Sequence, residues 1–393
     1  MPKYKFSEIA YNITDKKMPE PGDEELYIGL EHLDSGSLRV TRWGSEVELV
    51  GQKLVMQKGD ILFGRRNTYL RRAAIAPHDG IFSAHGMIFR PNTAVIDPDY
   101  FPFFISSDYF MDAAIRISVG SLSPTVNWKT LKELEFFLPD LNQQRHTAEL
   151  LSAANETKEA YQDLLIRSDE LVKSQFIELF GDPNINPKCW KQSTVGQECY
   201  YIKDGPHKSP PYIDDPTGIP FISTRNVVNG DGIDWSTAKY ISEESYLECI
   251  KKCKPEKGDI LYSKGGTTGI AKLVDTDIKF ANWVHVAVLK FGSNLDGKFF
   301  ECMLNTDYCY AQSQQLTKGV VNRDFVLSAI AKVKIIVPPL PLQLEFVDFI
   351  KQLDKSKYVA HQLTLFLEKL VKYELQSLFQ EECICSQKMQ LKK

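Results

Sequence analysis

Two stretches of the sequence carry more basic than acidic residues, and basic residues are the types that bind nucleic acid. The first is RRNTYLRR at residues 65–72, and the second is SKGGTTGIAK at residues 263–272. Residues 58–91 contain six basic against two acidic side chains, and residues 251–290 contain eight lysines against four acidic side chains. Lysine and arginine neutralise DNA phosphates, and arginine can form two hydrogen bonds to guanine. These stretches therefore predict contacts with double-stranded DNA.

The predicted contacts lie mainly in polar loops between short strands and helices, where side chains can face a partner. In the first half of the chain they come from the arginine-rich stretch and from the loop VGSLSPTVN at 119–127. In the second half they come from residues 225–226, 264–272 and 318–323. The candidate DNA-binding residues are Arg65, Arg66, Thr68, Tyr69, Arg71, Arg72, Ser121, Ser123, Arg225, Asn226, Lys264, Thr267, Thr268, Lys272, Lys318, Asn322 and Arg323.

No motif that would indicate an enzyme stands out in the sequence. SKGGTTGIAK lacks the Gly-Lys-Ser/Thr ending of a phosphate-binding loop, and the seven histidines form no HExxH pattern. The sequence has neither an NPPY nor a DPPF tetrapeptide of the methyltransferase type, and no clear nuclease motif. The eight cysteines include no CxxC pair, so no zinc site is expected. We therefore predict a binding role, with no catalytic residues and no metal site.

The chain repeats itself at an offset of 199 residues. This shift places Gln144 on Gln343, and KGDILF at 58–63 on KGDILY at 257–262. A repeat of this length indicates two domains of the same fold. Because the two copies differ most in their loops, the sequence predicts two DNA half-sites of different sequence.

Each repeat ends in a long stretch with helical periodicity, at residues 141–180 and 341–380. Apolar residues recur at three- and four-residue steps in both, which predicts an antiparallel two-helix coiled coil. The first stretch has seven acidic against four basic residues, so DNA contact is expected from the domains instead. The predicted fold class is α+β, with two DNA-recognition domains of mixed β-sheet and short helices at 1–140 and 187–340, a tail at 381–393, and a pseudo-twofold axis.

The sequence predicts no membrane span, because no apolar run reaches 18 residues. The N-terminal stretch MPKYKFSEIAYNITDKK lacks the apolar core of a secretory signal. We therefore expect a cytoplasmic protein. Residues 1–22 are expected to form a peripheral segment that precedes the first strand.

These repeated motifs resemble those of the specificity subunits of type I restriction-modification systems. The resemblance rests on GDILFGRR, GDILYSKGGTTG, the helix entry VPPLPLQ and DKSK at 354–357, and it covers residues 25–380. The first copy departs from the pattern, with LPDLNQQRH lacking the double proline and ANET at 154–157 replacing DKSK.

The resemblance implies a non-catalytic subunit whose two target-recognition domains each recognise one half of a bipartite, asymmetric DNA site. It implies that the long helices set the spacer between the halves and hold the partner subunits. The implied partners are double-stranded DNA, two methyltransferase subunits, and restriction/translocase subunits, which both translocate and cleave DNA. No cofactor is expected in this chain, because S-adenosylmethionine, ATP and magnesium would be held by the partners, which methylate adenine or cleave unmodified DNA.

Two other functions stay open on the sequence. A stand-alone DNA-binding regulator would bind its site tightly without partner subunits. The recognition half of a fused restriction enzyme would hide a degenerate nuclease in this chain, and substitution of its acidic residues would abolish cleavage.

Overall fold

The protein is described by a computed structural model that covers residues 1–230, 232–319 and 323–390, with side chains up to residue 376. Its contacts divide the chain into two compact units. Unit 1 is Met1–Asp163 with Ala360–Lys393, and unit 2 is Leu164–Val359. Each unit therefore combines one sequence repeat with a segment of both long helices.

The first repeat is built from short strands and short helices. Its strands are β1 (Lys3–Lys5), β2 (Ala10–Ile13), β3 (Lys16–Lys17), β4 (Tyr27–Ile28), β5 (Lys53–Met56), β6 (Ile61–Phe63), β7 (Ala73–Ile75), β8 (Gly80–Phe82), β9 (Met87–Pro91) and β10 (Glu135–Phe137). Its α-helices are α1 (Phe6–Ile9), α2 (Phe101–Ser106), α3 (Asp108–Arg116) and α4 (Trp128–Leu131), with 3-10 turns at Asp23–Leu26, Leu30–His32 and Thr68–Leu70.

One sheet of unit 1 has the strand order β2-β9-β6-β7, and its neighbouring strands are antiparallel. A second sheet has the order β3-β5-β8-β4, in which β4 and β8 are parallel. The core packs against the first sheet and contains the fully buried rings of Phe6, Phe63, Phe89, Phe110 and Phe136. Burying rings of this size is a main source of the unit's stability.

The second repeat follows the long helix α5 (Leu141–Phe180). Its strands are β11 (Lys191–Thr194), β12 (Cys199–Asp204), β13 (Tyr212–Ile213), β14 (Ile219–Ile222), β15 (Lys239–Ile241), β16 (Ile260–Ser263), β17 (Ala271–Leu273), β18 (Ala281–Asn282), β19 (Val286–Phe291) and β20 (Lys334–Val337). Its short helices are α6 (Val195–Glu198), α7 (Thr224–Val228), α8 (Glu243–Lys252), α9 (Gly297–Leu304), α10 (Asp307–Leu316) and α11 (Leu327–Ile330).

The sheet β2-β9-β6-β7, called the main sheet of unit 1, has its equivalent in the sheet β12-β19-β16-β17 of unit 2, with corresponding strands in the same order. The other four-stranded sheet of each unit, called the smaller sheet, differs between the units in its strand pairing. Both contain one parallel pair, β4 with β8 and β14 with β18, but β5 pairs with β8, whereas β15 pairs with β14. The repeat is therefore close in the main sheet and has diverged in the smaller one.

The start of each repeat pairs with the strand that leads into the long helix. Strand β1 is antiparallel to β10, and β11 is antiparallel to β20. The prediction that residues 1–22 are peripheral is wrong. Phe6, Ile9 and Ala10 are buried in the core, and β2 forms an edge of the main sheet. Local sequence did not indicate this, because strands of three or four residues carry little periodicity.

The second long helix is α12 (Leu340–Gln390), which continues through much of the predicted tail. In unit 2 the ring of Phe346 lies 5.6 Å from that of Phe176 and 5.5 Å from that of Phe180, measured between centroids. Lys357 Nζ lies 2.6 Å from Asp169 Oδ1. Later residues of α12 thus meet earlier residues of α5, so the two helices are antiparallel in unit 2. The predicted α+β class with long antiparallel helices is confirmed.

A buried glutamine fixes the start of each long helix in the same way. In unit 1 the Gln144 amide donates to the carbonyl oxygens of Pro139 at 2.8 Å and Val95 at 3.2 Å, and its oxygen accepts from the backbone N–H of Asp97 at 2.8 Å. In unit 2, Gln343 makes the same three kinds of bond, at distances of 2.8, 3.0 and 2.9 Å. Buried polar groups are costly without such partners.

The repeated Lys-Gly-Asp turn is also fixed by a matched ion pair. Arg90 Nε lies 2.8 Å from Asp60 Oδ1 in unit 1, and Lys290 Nζ lies 2.7 Å from Asp259 Oδ2 in unit 2. No helix within the described ranges is both long and apolar enough to span a membrane.

Candidate nucleic-acid interface

Most of the predicted contact residues lie in two loops of each unit. In unit 1 the first loop is residues 64–72, between β6 and β7, and the second loop is residues 118–125, between α3 and α4. In unit 2 the first loop is residues 264–270, between β16 and β17, and the second loop is residues 317–324, between α10 and α11. Residues 320–322, including the predicted contact Asn322, lie outside the described residues.

Backbone hydrogen bonds join the two loops of unit 1. Arg66 and Val119 each form an isolated β-bridge with Thr125. The N–H of Val126 donates to the carbonyl oxygen of Arg65 at 3.0 Å. The two loops therefore form one surface whose frame depends on backbone atoms.

The same frame recurs in unit 2. Gly265 and Lys318 each form an isolated β-bridge with Asp324. The N–H of Phe325 donates to the carbonyl oxygen of Lys264 at 2.7 Å. Each of these positions corresponds to its partner in unit 1 at the offset of 199 residues that the sequence shows.

The first loop of unit 1 turns sharply and exposes Tyr69. Its 3-10 turn is flanked by Asn67 and Arg71, which have left-handed φ angles of 52° and 49°. The hydroxyl of Thr68 is buried and donates to the carbonyl oxygen of Arg65 at 2.9 Å, so it supports the turn. The Tyr69 side chain is 56% exposed, and it is available for contact with a partner.

The four arginines of this loop have different surroundings. Arg71 donates to Asp108 at 2.8 Å, and Arg72 donates to the carbonyl oxygen of Leu30 at 2.8 Å. Arg65 is partly buried, and its Nε atom has no hydrogen-bond partner among the described residues. Arg66 is exposed, and its guanidinium makes no hydrogen bond to the described part of the chain. Arg66 is therefore best placed for a phosphate or a base.

The second loop of unit 1 presents apolar residues that the sequence-based list missed. Leu122 is 97% exposed, and Val119 is also well exposed. Of the predicted contacts here, Ser121 is exposed, whereas the Ser123 hydroxyl donates to Asn67 Oδ1 at 3.0 Å. The signal was present in the sequence, because Leu122 and Val119 interrupt a run of turn residues.

Three predicted contacts of unit 2 are buried. Lys264 is 5% exposed, and its ammonium lies 3.1 Å from Asp324 and 3.4 Å from Asp204. Thr268 hydrogen-bonds through its hydroxyl to that of Thr317, and Lys272 donates to the carbonyl oxygen of Gly230 at 2.7 Å. A buried lysine whose charge is already paired cannot reach a phosphate without breaking those contacts. We therefore reassign Lys264, Thr268 and Lys272 to the internal support of the loop.

Asn226 is likewise structural. It is buried, and its side-chain oxygen accepts from the backbone N–H of Ser223 at 2.9 Å while its amide donates to the carbonyl oxygen of Asp234 at 2.9 Å. Its neighbour Arg225 is exposed in α7. Asn226 therefore caps the start of this helix, and Arg225 remains a candidate contact.

The other described candidates of unit 2 lie at its loop surface. Thr267 and Lys318 are exposed. Arg323 is partly buried, and its guanidinium donates to the Gln314 side-chain oxygen. Thr267 and Lys318 are thus the loop residues of unit 2 that we retain as candidate contacts.

The matched histidines occupy different environments. The carbonyl oxygen of His285 accepts from the backbone N–H of Lys264 at 2.9 Å, directly beneath the first loop. Burial, and then the charge of Lys264, lower the pKa of His285, so its ring is neutral at neutral pH. His85 is exposed. Their matching positions therefore do not indicate a shared functional role.

Among the described residues, no group of three or more His, Cys, Asp or Glu side chains could hold a metal ion. In each unit two joined loops form one surface. Unit 1 exposes Arg66, Tyr69 and Ser121 beside the apolar Leu122, and unit 2 exposes Thr267 and Lys318. Such a surface can donate hydrogen bonds and positive charge to phosphates and base edges.

Comparisons with known proteins agree with this arrangement. Residues 187–365 match the family model described as the type I restriction modification DNA specificity domain. The type I restriction enzyme MjaIX specificity subunit of Methanocaldococcus jannaschii is 25% identical over 316 residues, which cover 75% of this chain and 68% of that protein.

Two solved structures share the fold over nearly the whole chain. The crystal structure of the type I restriction-modification S subunit from M. genitalium has a TM-score of 0.59 at 16% identity, and the match covers 96% of each chain. A chain from a study of complex assembly and conformational transition of the type I R-M system has a TM-score of 0.55 at 17% identity, and the match covers 96% of this chain and 97% of that one.

Proposed function

We propose that the chain is a specificity subunit of a type I restriction-modification system, and that each of its two units recognises one half of a bipartite, asymmetric DNA site. One observation carries this proposal. Both units hold a first and a second loop in the same backbone frame, while the exposed side chains on that frame differ. Equal frames with different side chains suit two half-sites of unequal sequence.

DNA recognition by unit 1 would rest on Arg66, Tyr69 and Ser121, and recognition by unit 2 on Arg225, Thr267 and Lys318. Arginine and lysine supply the salt-dependent attraction to phosphates, and the hydroxyl groups can bind base edges or phosphates. Arg65 and Arg72 would contribute the exposed part of their side chains to the same DNA-binding surface.

We also propose that the long helices hold the partner subunits. In unit 2, Ile166, Leu171 and Ile177 of α5 and Tyr358 and Val359 of α12 are exposed. Apolar side chains along a helix form a surface on which a partner helix can pack. The proposed partners are two methyltransferase subunits, together with restriction/translocase subunits.

In unit 1, Phe366 and Tyr373 of α12 are also exposed. They are seven residues apart, so they lie on the same face of the helix. A partner helix could cover these rings as well.

As a specificity subunit, the chain would have no catalytic role of its own. The proposed complex methylates adenine or cleaves unmodified DNA, with S-adenosylmethionine, ATP and magnesium bound by the partner chains. The residues described above supply the sequence specificity of that reaction.

The test is to express the chain with its methyltransferase subunits and to map methylated adenines in the host genome. We expect one bipartite motif with a fixed number of unspecified base pairs between two halves. Exchange of residues 1–137 for those of a relative should change one half of the motif only. A motif that changes in both halves would contradict the proposal, and tight specific binding by the chain alone would favour a stand-alone regulator.

A further inference from the structure

Asp108 of unit 1 lies where the first loop meets the second long helix. It is the first residue of α3, and its carboxylate accepts from Arg71 Nη1 at 2.8 Å. The same carboxylate accepts from Lys372 Nζ at 3.2 Å and from Gln376 Nε2 at 3.3 Å. One side chain thus connects the arginine-rich loop with α12.

Further contacts hold the same loop. Arg71 also pairs with Asp112, which lies one turn further along α3. The hydroxyl of Ser35 donates to the carbonyl oxygen of Leu70, and Ser35 forms an isolated β-bridge with Arg72. The first loop of unit 1 is therefore fastened on both sides of its turn.

The segment that contains Ser35 is itself packed on the long helices. Leu38 is buried in one cluster with Phe103, Leu151 of α5 and Leu375 of α12. Arg39 Nη1 lies 3.0 Å from Asp163 of α5. The long helices thus support the first loop of unit 1 through an ionic contact at Asp108 and an apolar contact at Leu38.

The charge on Asp108 is maintained by its partners. Burial raises its pKa, but the hydrogen bond and charge of Lys372, together with Arg71 and Gln376, outweigh burial and hold the pKa below its ordinary value. Asp108 is therefore ionised at neutral pH and can bind all three partners at once.

Unit 2 lacks this connection at the matching positions. Asp307 begins α10 as Asp108 begins α3, but its side chain is exposed. Counted back from the strand that follows the loop (β7 or β17), the position of Arg71 is occupied by Gly269, which has a left-handed φ of 87°. At the position of Gln376 the chain has Ile177. No contact in the described part of the chain joins Asp307 to a long helix.

The first loop of unit 2 is held instead by its own repeat. The Gln314 side chain of α10 donates to the carbonyl oxygen of Thr268 at 3.0 Å. A Cβ atom at Gly269 would lie 2.0 Å from the Ser313 hydroxyl, so this loop packs closely on α10. The two units support equivalent loops by different means.

We propose that Asp108 is a positioning residue for DNA recognition by unit 1, and that Arg71 acts through Asp108 and not on DNA. This inference rests on the proposed function. It places the first loop of unit 1 under the control of α12, because Lys372 and Gln376 fix the carboxylate that fixes Arg71. Its consequence is that loss of Asp108 impairs sequence discrimination in one half-site and spares the other.

The experiment compares Asp108→Asn with the matched variant Asp307→Asn, each in the complete complex with methyltransferase subunits. The two half-sites are first assigned to the units by the exchange of residues 1–137. Binding is then measured on the mapped site and on sites with one base pair changed in either half.

For Asp108→Asn we expect an about three- to tenfold smaller preference for the correct unit 1 half, within the range that two partly exposed ion pairs supply, and an unchanged preference in the unit 2 half. For Asp307→Asn we expect wild-type discrimination in both halves. Equal loss in both halves, or no loss in either, would overturn the inference. If the wild-type complex binds no specific site, the proposed function fails, and the inference fails with it.

A second variant keeps the test decisive if Asp108→Asn reduces the yield of folded complex. Arg71→Gln leaves the contact between Asp108 and Lys372 in place and removes only the contacts of the loop. It should lower discrimination in the unit 1 half while the dependence of binding on salt stays at the wild-type value. A smaller salt dependence would show that Arg71 contacts a phosphate, and it would refute the positioning role.

Discussion

Replacement of Arg66 by alanine should remove one phosphate contact from the DNA complex. Arg71 and Arg72 already have protein partners, and the Nε atom of Arg65 is buried. Arg66 is exposed, and its backbone is held by the bridge to Thr125. The substitution therefore deletes an exposed charge and leaves the loop frame unchanged.

The size of the effect follows from counterion release. Each phosphate contact contributes about 0.9 to the slope of log affinity against log salt concentration. Arg66→Ala should reduce the slope by about that amount. Between about 50 and 200 mM salt, the variant should lose roughly 3.5-fold less affinity than the wild type.

Fluorescence anisotropy of the complete complex on its mapped site, over a series of salt concentrations, would measure this slope. Arg71→Ala is the matched control, because it removes an arginine from the same loop whose guanidinium is paired with Asp108 and Asp112. An unchanged slope for Arg66→Ala would refute the assignment of this loop to DNA. A reduced slope for Arg71→Ala would refute the division of roles within the loop.

Three further predictions concern stability, spacing and pH. Gln144→Leu should lower the free energy of unfolding by roughly 2–5 kcal/mol in denaturant titration, because it leaves buried backbone groups without partners; leucine at the exposed neighbour Gln143 should have little effect. Insertion of one heptad into both long helices should lengthen the unspecified spacer in the methylated motif, and an unchanged spacer would contradict the proposed role of the helices. Hydrogen bonds from Lys254 and then Lys290 lower the pKa of Glu256 from 4.5 to about 2, so its stabilising contribution is present above pH 4.5 and is lost as the pH falls toward 2. The stability difference between wild type and Glu256→Gln should therefore shrink over that range in acid titration, by a small amount because the carboxylate is half exposed.

The sequence predicted the features that depend on short motifs and on the periodicity of nearby residues. The repeated Lys-Gly-Asp turn matches because Gly59 and Gly258 have left-handed φ angles of 90° and 92° and each following aspartate has a basic partner. The long helices matched because apolar periodicity over forty residues is a strong signal. The start of the first long helix was predicted at its observed residue, whereas the second helix continues to Gln390.

The roles of single loop residues could not be predicted in the same way. Lys264 resembles a solvated lysine in its local sequence, and its partners Asp204 and Asp324 each lie 60 residues away. Arg71 resembles its neighbour Arg66, yet one is paired with two carboxylates and the other is exposed. Such differences arise from tertiary contacts, which a pattern of residue types does not contain.

The pairing of β1 with β10 and of β11 with β20 has a consequence for how segments of the gene can be exchanged by recombination. The chain enters and leaves each repeat at adjacent positions, since Lys3 lies opposite Phe137 and Lys191 lies opposite Val337. A gene segment that encodes everything between those two strands can be replaced by recombination, with a single short strand pair to be matched at the junction. If each unit recognises one half-site as proposed, exchange of such a segment would change that half-site in a single step.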